Sequence, residues 1–154
     1  MILIFYKYAL YCKIGEKSLF FRLLIKILLD IINMVVLMNA YLIYGNSNEL
    51  IKEKISSIVK TGVNVIKYDL EENLIDDVIE EAAYLSLFSE KKYIIIKAGN
   101  LFTSKSNEKD AEKLLKYFEN EQELSTLIFV TNKKLDMRKI LVKYFKKNNK
   151  IIEV

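Results

Sequence analysis

From residue 39 onward, apolar positions fall into two alternating spacings. Compact runs at 40–44, 64–68, 93–96 and 126–130 suit strands. Those at 93–96 and 126–130 are apolar almost throughout, as expected of strands covered on both faces. Helical spacing recurs between them. Leu50, Ile51, Ile55, Ile58 and Val59 mark a first helix, which Ser47 or Asn48 can cap and Thr61-Gly62 stops. Leu74, Ile75, Val78, Ile79, Ala82 and Leu85 mark a second, opened by Asn73. A polar stretch at 103–110 reads as a mobile loop, and Ala111, Leu114, Leu115 and Phe118 mark the helix after it. Met137, Ile140, Leu141, Tyr144 and Phe145 place a last helix from near Asp136, with Ile151-Ile152 as a closing strand. Strands separated by helices of this length need crossover connections. The pattern therefore predicts an α/β fold, a mostly parallel sheet with flanking helices.

Residues 1–38 follow another pattern. They are rich in Ile, Leu, Phe and Tyr, and 19–38 could span a bilayer, for which about 20 apolar residues suffice. Arg22, Lys26 and Asp30 interrupt that run at i, i+4 and i+8, which on a helix makes one polar stripe. Each costs roughly 2.5–3.5 kcal/mol near a bilayer centre. Three readings stand: an interfacial amphipathic helix, a poor transmembrane anchor, or translation from a start upstream of the true one. The last is preferred, because Met38, with Met34 as a second candidate to replace Met1, directly precedes the first strand of a self-contained domain at 39–154. No small-residue cleavage site follows the apolar run, which argues against a signal peptide. No membrane partner is expected.

Composition narrows the chemistry. The 154 residues are 52% hydrophobic and 29% charged, which suits one globular domain with its own core. Cys12 is the single cysteine, so no internal disulfide forms and a cytoplasmic home is the simpler expectation. With no histidine, the usual zinc sites and Ser-His or Cys-His catalysis are excluded. The formal charge of +4 is unevenly spread: +3 over 1–38, −5 over 39–132 and +6 over 133–154. The last segment carries Lys133, Lys134, Arg138, Lys139, Lys143, Lys146, Lys147 and Lys150. These residues suit either a DNA-proximal basic face or an ordinary solvated helix face, and the second is simpler from the residues alone.

In this fold class the loop after the first strand normally holds nucleotide phosphates. A phosphate loop needs G-x-x-x-x-G-K-[ST], so that backbone N–H groups and a lysine can meet the anion. The corresponding stretch is Gly45-Asn46-Ser47-Asn48-Glu49-Leu50-Ile51-Lys52. Leucine stands for the second glycine and isoleucine for the lysine, and Glu49 would repel an anion. After the third strand, Lys97-Ala98-Gly99-Asn100 offers no magnesium-binding acid. Gly45 and Asn46 also stand where a phosphoacceptor domain has paired acids. Asp76-Asp77 and Glu80-Glu81 read as a solvated helix face. The expectation is a degenerate phosphate loop at Gly45, Asn46, Ser47 and Asn48, with no catalytic site, metal or cofactor.

Leu87 and Phe88 lie just past the second helix, before Ser89-Glu90-Lys91-Lys92. On composition they are core residues under the sheet, or else an exposed pair serving as an anchor. Three segments, in this order, carry a resemblance: Tyr41-Leu42-Ile43-Tyr44-Gly45 with its degenerate loop, Leu87-Phe88-Ser89-Glu90-Lys91-Lys92 before Tyr93-Ile94-Ile95-Ile96, and Lys134-Leu135-Asp136-Met137-Arg138-Lys139. Over 39–154 the chain resembles the N-terminal domain of the delta subunit of the bacterial DNA polymerase III clamp loader. That resemblance implies an ATPase-type, P-loop-like core that does not hydrolyse nucleotide, within a non-catalytic subunit of a DNA-directed DNA polymerase holoenzyme. It implies that Leu87 and Phe88, with Ser86 setting the loop, bind and open the sliding clamp. The implied partners are the clamp, other clamp-loader subunits and, weakly, DNA. The family's helical and collar domains do not follow in this sequence. Two alternatives remain: a divergent nucleotide-binding NTPase of the same fold, and a membrane-anchored α/β domain.

Overall fold

The computed structural model describes residues 39–84, 91–119 and 125–154. The hydrophobic extension at 1–38 lies outside them. The elements run β1 (Ala40–Tyr44), α1 (Asn48–Ile58), β2 (Asn64–Asp69), α2 (Ile75–Ala83), β3 (Lys92–Lys97), α3 (Glu108–Glu119), β4 (Ser125–Thr131), α4 (Ile140–Lys147) and β5 (Ile151–Glu153). The strands form a single sheet in the order β2-β3-β4-β1-β5. Every neighbouring pair is parallel. The predicted α/β fold class is therefore observed, with the sheet parallel throughout.

Strand order dictates which face each helix covers. The step from β1 to β2 runs along the sheet in one direction, and the steps β2 to β3, β3 to β4 and β4 to β5 all run in the other. Crossovers share one hand, so α1 must lie on one face and α2, α3 and α4 on the opposite face. The packing agrees. Ile43, Tyr93 and Ile128 meet Ile51 of α1 on one side. Leu42, Ile94, Ile96, Leu127 and Phe129 meet the other three helices on the other side. There Phe145 is fully buried, edge-on to Phe102 at 5.6 Å, Phe129 at 5.7 Å and Phe118 at 5.8 Å.

Three local expectations are corrected. The last helix begins at Ile140 rather than near Asp136. Asp136 Oδ1 accepts the Arg138 N–H at 3.0 Å, and its carbonyl accepts the Lys139 N–H at 3.0 Å, so a turn replaces the first helical turn. Met137 and Ile140 are consequently exposed, while Leu135 and Val142 are buried. Asn73 does not open the second helix. Its side chain accepts the Asp69 N–H at 3.2 Å, and Asp77 Oδ2 accepts the N–H of the cap residue Leu74 at 3.0 Å. The stretch at 103–110, read as a loop, is not loop to its end: 108–110 already belong to the third helix, and local hydrogen bonds precede it. Thr103 Oγ1 donates to Asn100 O at 2.9 Å, and Asn107 Oδ1 accepts the Lys109 N–H at 3.1 Å as the third helix starts.

Candidate functional site

The helices after β1 and β4 leave on opposite faces, so the crevice at the carboxyl ends of these adjacent strands is where such folds place ligands. A cleft of about 490 Å³ opens beside it, with Ile51, Ile55, Ile95 and Val130 among its apolar walls. At the expected phosphate loop, Gly45, Asn46 and Ser47 alone connect β1 to α1. The Gly45 N–H donates to Thr131 O at 3.2 Å. Ser47 Oγ caps the helix by accepting the Leu50 N–H at 3.4 Å. These donors already have protein acceptors. Gly45 also has a steric role: a Cβ there would lie 2.0 Å from the Val154 carbonyl oxygen.

Lys97 stands at the end of β3, where a magnesium-binding acid would be needed. It donates to Asp69 at 2.7 Å and to Glu71 at 3.4 Å. Lys133, past the end of β4, donates to the other Glu71 oxygen at 3.1 Å and to Asn100 Oδ1 at 3.1 Å. One carboxylate is thus bridged by two ammonium groups. The Lys97 hydrogen bond holds the Asp69 carboxyl below its usual range, and the Lys133 hydrogen bond does the same for Glu71. Lys97 is correspondingly raised, chiefly by its bond to Asp69. Gly99, at φ +52°, lets this loop approach; a Cβ there would sit 3.3 Å from Glu71 Cγ. The cleft's charged lining comprises Lys67, Lys97 and Lys133 against Asp69, Glu71 and Glu72, which balance.

At the opposite end of the sheet, α2 runs toward the segment singled out for partner binding. Ser86, Leu87 and Phe88 lie outside the described residues, as do their immediate neighbours 85, 89 and 90. Both flanks are described. Tyr84, 65% exposed, donates its N–H to the Glu80 and Glu81 carbonyls. Lys92 opens β3, and its side chain is only 8% exposed. Its ammonium donates to the Glu81 carbonyl, to Glu81 Oε1 at 2.9 Å and to Tyr84 O at 2.9 Å. Glu81 therefore does not belong to the solvated face expected of it, because a buried cation reaches it from 11 residues away. Asp76 does conform: it is exposed and pairs with Lys113 at 2.6 Å.

The basic C-terminal segment divides. Lys133 belongs to the cleft network, and Arg138 forks onto Asp136, with Nε to Oδ1 at 3.0 Å and Nη2 to Oδ2 at 2.9 Å. The Arg138 side chain, and then its backbone N–H, bring the Asp136 carboxyl down to about 2. Lys134, Lys143, Lys146 and Lys147 are exposed and Lys139 is half-buried, with exposed Met137 and Ile140 among them. Lys150 is turned away over the Tyr41 ring at 4.5 Å. Among the described residues, no three His, Cys, Asp or Glu side chains are grouped to hold a metal ion. Nor, among them, is any helix long and apolar enough to cross a membrane.

Comparison with known proteins follows the same architecture. The family model described as DNA polymerase III, delta subunit, matches residues 41–154. A solved structure, the DNA clamp loader delta protein of Bacillus subtilis, aligns with a TM-score of 0.64 at 25% sequence identity, covering 75% of this chain and 38% of that one. The chain thus spans well under half the length of that relative. No match to a curated protein was found.

Proposed function

The chain belongs to the DNA polymerase III delta-subunit family, and from that premise we propose that it is a non-catalytic clamp-loader module that binds the sliding clamp and helps to open it. The observation that carries this reading is the family match over residues 41–154, joined to a carboxyl edge where Lys97 and Lys133 are already paired with Asp69 and Glu71. A phosphate would have to displace Glu71 from two lysines, and it would meet a three-residue turn whose first N–H, that of Gly45, is already given to Thr131 O. The divergent-NTPase alternative is disfavoured for that reason.

Leu87 and Phe88 are the proposed anchor, with Ser86 shaping their approach. Two apolar side chains fully desolvated by a partner contribute about 1.5–3 kcal/mol each. Together they supply about two to four decades of affinity. Opening needs no hydrolysis by this chain, since a ligand that holds the open ring more tightly than the closed one shifts the population toward it. ATP turnover belongs, on this reading, to other clamp-loader subunits acting with it in the cytoplasm. DNA phosphates are a secondary partner through Lys134, Lys139, Lys143, Lys146 and Lys147. Lys133 and Arg138 contribute less, being already paired within the chain.

Leu87→Ala/Phe88→Ala is the test. The double variant is expected to lose clamp affinity by at least about a hundredfold with thermal unfolding unchanged. Parental affinity in the folded double variant would refute the anchor.

A further inference from the structure

Ile95 and Lys97 leave the same face of β3, and Lys97 is the register partner of Val130 on β4. On that face half-buried Ile95 and Val130 share one apolar cluster with Ile51 and Ile55 of α1, and these four side chains wall the cleft of about 490 Å³. The apolar row on β3 therefore ends at an ammonium. Lys133 brings a second one, its backbone N–H held by Thr131 Oγ1 at 3.1 Å. Both ammonium groups converge on one carboxylate, Lys97 on Glu71 Oε2 at 3.4 Å and Lys133 on Glu71 Oε1 at 3.1 Å.

Each cation has a second partner that fixes it independently of Glu71. Asp69 holds Lys97 at 2.7 Å, and Asn100 Oδ1 holds Lys133 at 3.1 Å. The Glu71 side chain is 50% exposed, and ion pairs open to solvent contribute little to folding. Glu71 can therefore leave while both lysines stay in place. Without it the charged lining is Lys67, Lys97 and Lys133 against Asp69 and Glu72, which leaves room for one negative charge and not for two. A tethered carboxylate competes at an effective concentration on the order of millimolar. A bare anion has nothing to set against that advantage. An anion that also covers the apolar walls does, because it removes from water a surface that Glu71 leaves open.

We propose that the cleft binds a monocarboxylate carrying an apolar arm, and that Glu71 is its built-in, exchangeable occupant. The ligand's carboxylate replaces that of Glu71 between Lys97 and Lys133, and its arm lies against Ile51, Ile55, Ile95 and Val130. Exchange of one carboxylate for another conserves the two charge-assisted bonds, so burial of the arm decides affinity. This site goes beyond clamp docking and does not rest on it.

The experiment is calorimetric titration of the full chain with hexanoate, with acetate, hexanol and inorganic phosphate as comparison ligands. Glu71→Gln removes the resident charge and is expected to tighten hexanoate binding about tenfold. Glu72→Gln makes the same change of net charge in the same cleft and should shift affinity by no more than about twofold. Adding Lys133→Met to Glu71→Gln should weaken hexanoate at least about fivefold. Acetate lacks the arm, hexanol lacks the charge and phosphate carries a second charge, so each should bind the Glu71→Gln chain at least about fivefold more weakly than hexanoate. Should Glu71→Gln fail to fold, Lys133→Met alone reads the site from the cation side and should weaken the parent's hexanoate binding about fivefold. No saturable hexanoate binding by folded Glu71→Gln, or failing that by the parent, overturns the site. So does undiminished binding after Lys133→Met. An equal gain in Glu72→Gln overturns Glu71 as the occupant, and acetate, hexanol or phosphate binding as tightly as hexanoate overturns the ligand class.

Discussion

Replacing Gly45 by alanine separates two explanations of that glycine. In the sequence it occupies the first position of a phosphate loop, where glycine would serve a ligand. In the structure its φ lies outside the left-handed region, so the backbone does not require glycine for conformation. What requires it is space: a Cβ would sit 2.0 Å from the Val154 carbonyl oxygen and 2.9 Å from Val154 C and Cγ2. Relief needs the Val154 backbone to retreat by more than about 1 Å to reach ordinary contact. That backbone donates its N–H to Tyr44 O at 3.0 Å, immediately beside the new methyl group. Overpacking costs about 1–3 kcal/mol, and the stretched hydrogen bond accounts for about 1 of it. Urea unfolding followed by circular dichroism should therefore show Gly45→Ala about 1–3 kcal/mol less stable. Deleting Val154 supplies the decisive arm. In a chain ending at Glu153 the same substitution should cost little, giving a coupling of about 1 kcal/mol or more. An equal penalty with and without Val154 would refute the close-approach argument.

Two further outcomes follow from the packing and the ion pairs. Phe145→Ala, removing the ring that meets Phe102, Phe118 and Phe129, should cost about 3–5 kcal/mol in the same assay, and a loss below about 1 would contradict the ring cluster. The Asp69, Glu71 and Asp136 carboxyls are all held below their unfolded values, so each stabilises the fold at pH above its unfolded value and loses that contribution as pH falls through the folded one. Urea midpoints should be flat near neutrality and fall below about pH 4.5, and Asp136→Asn should remove the part of the fall between 3.8 and about 2. An Asp136→Asn profile parallel to the parent's would show that the Arg138 fork contributes nothing to folding.

The strands and helices were legible because burial imposes periods of two and 3.6 on the chain wherever an element has a covered face. Ile94 and Ile96 against Leu127 and Phe129 is such a case, and the strands they define fall within a residue or two of the expected ends. The start of α4 was misplaced because Met137 and Ile140 keep helical spacing although neither is covered. Spacing records only side-chain type, and a side chain bonding its own backbone, as Asp136 does, can replace a helical turn without disturbing it. The polar contacts were illegible for another reason. Glu81 meets Lys92, Ser125 meets Ala82 and Glu71 meets Lys133 across 11, 43 and 62 residues, and only crossover connections bring them together. In sequence Lys92 is one more charge in a polar turn. The single hint was its place directly before an apolar strand, where its stem had to share the strand's burial.

The two ends of the sheet differ in how their charged groups are used. At the carboxyl ends, Lys97 and Lys133 could have met an anion, yet Glu71 already bridges them, and any incoming phosphate must first undo two charge-assisted bonds. At the amino ends of β3 and β4, buried polarity is concentrated on holding α2 and β3 together at the base of one connecting segment. A fold retaining nucleotide chemistry would need a lysine at these strand ends free to meet phosphate, whereas both Lys97 and Lys133 are held by Glu71. The arrangement also predicts where change is tolerated. Substitutions that preserve the charge balance around Glu71 should leave the proposed clamp binding untouched.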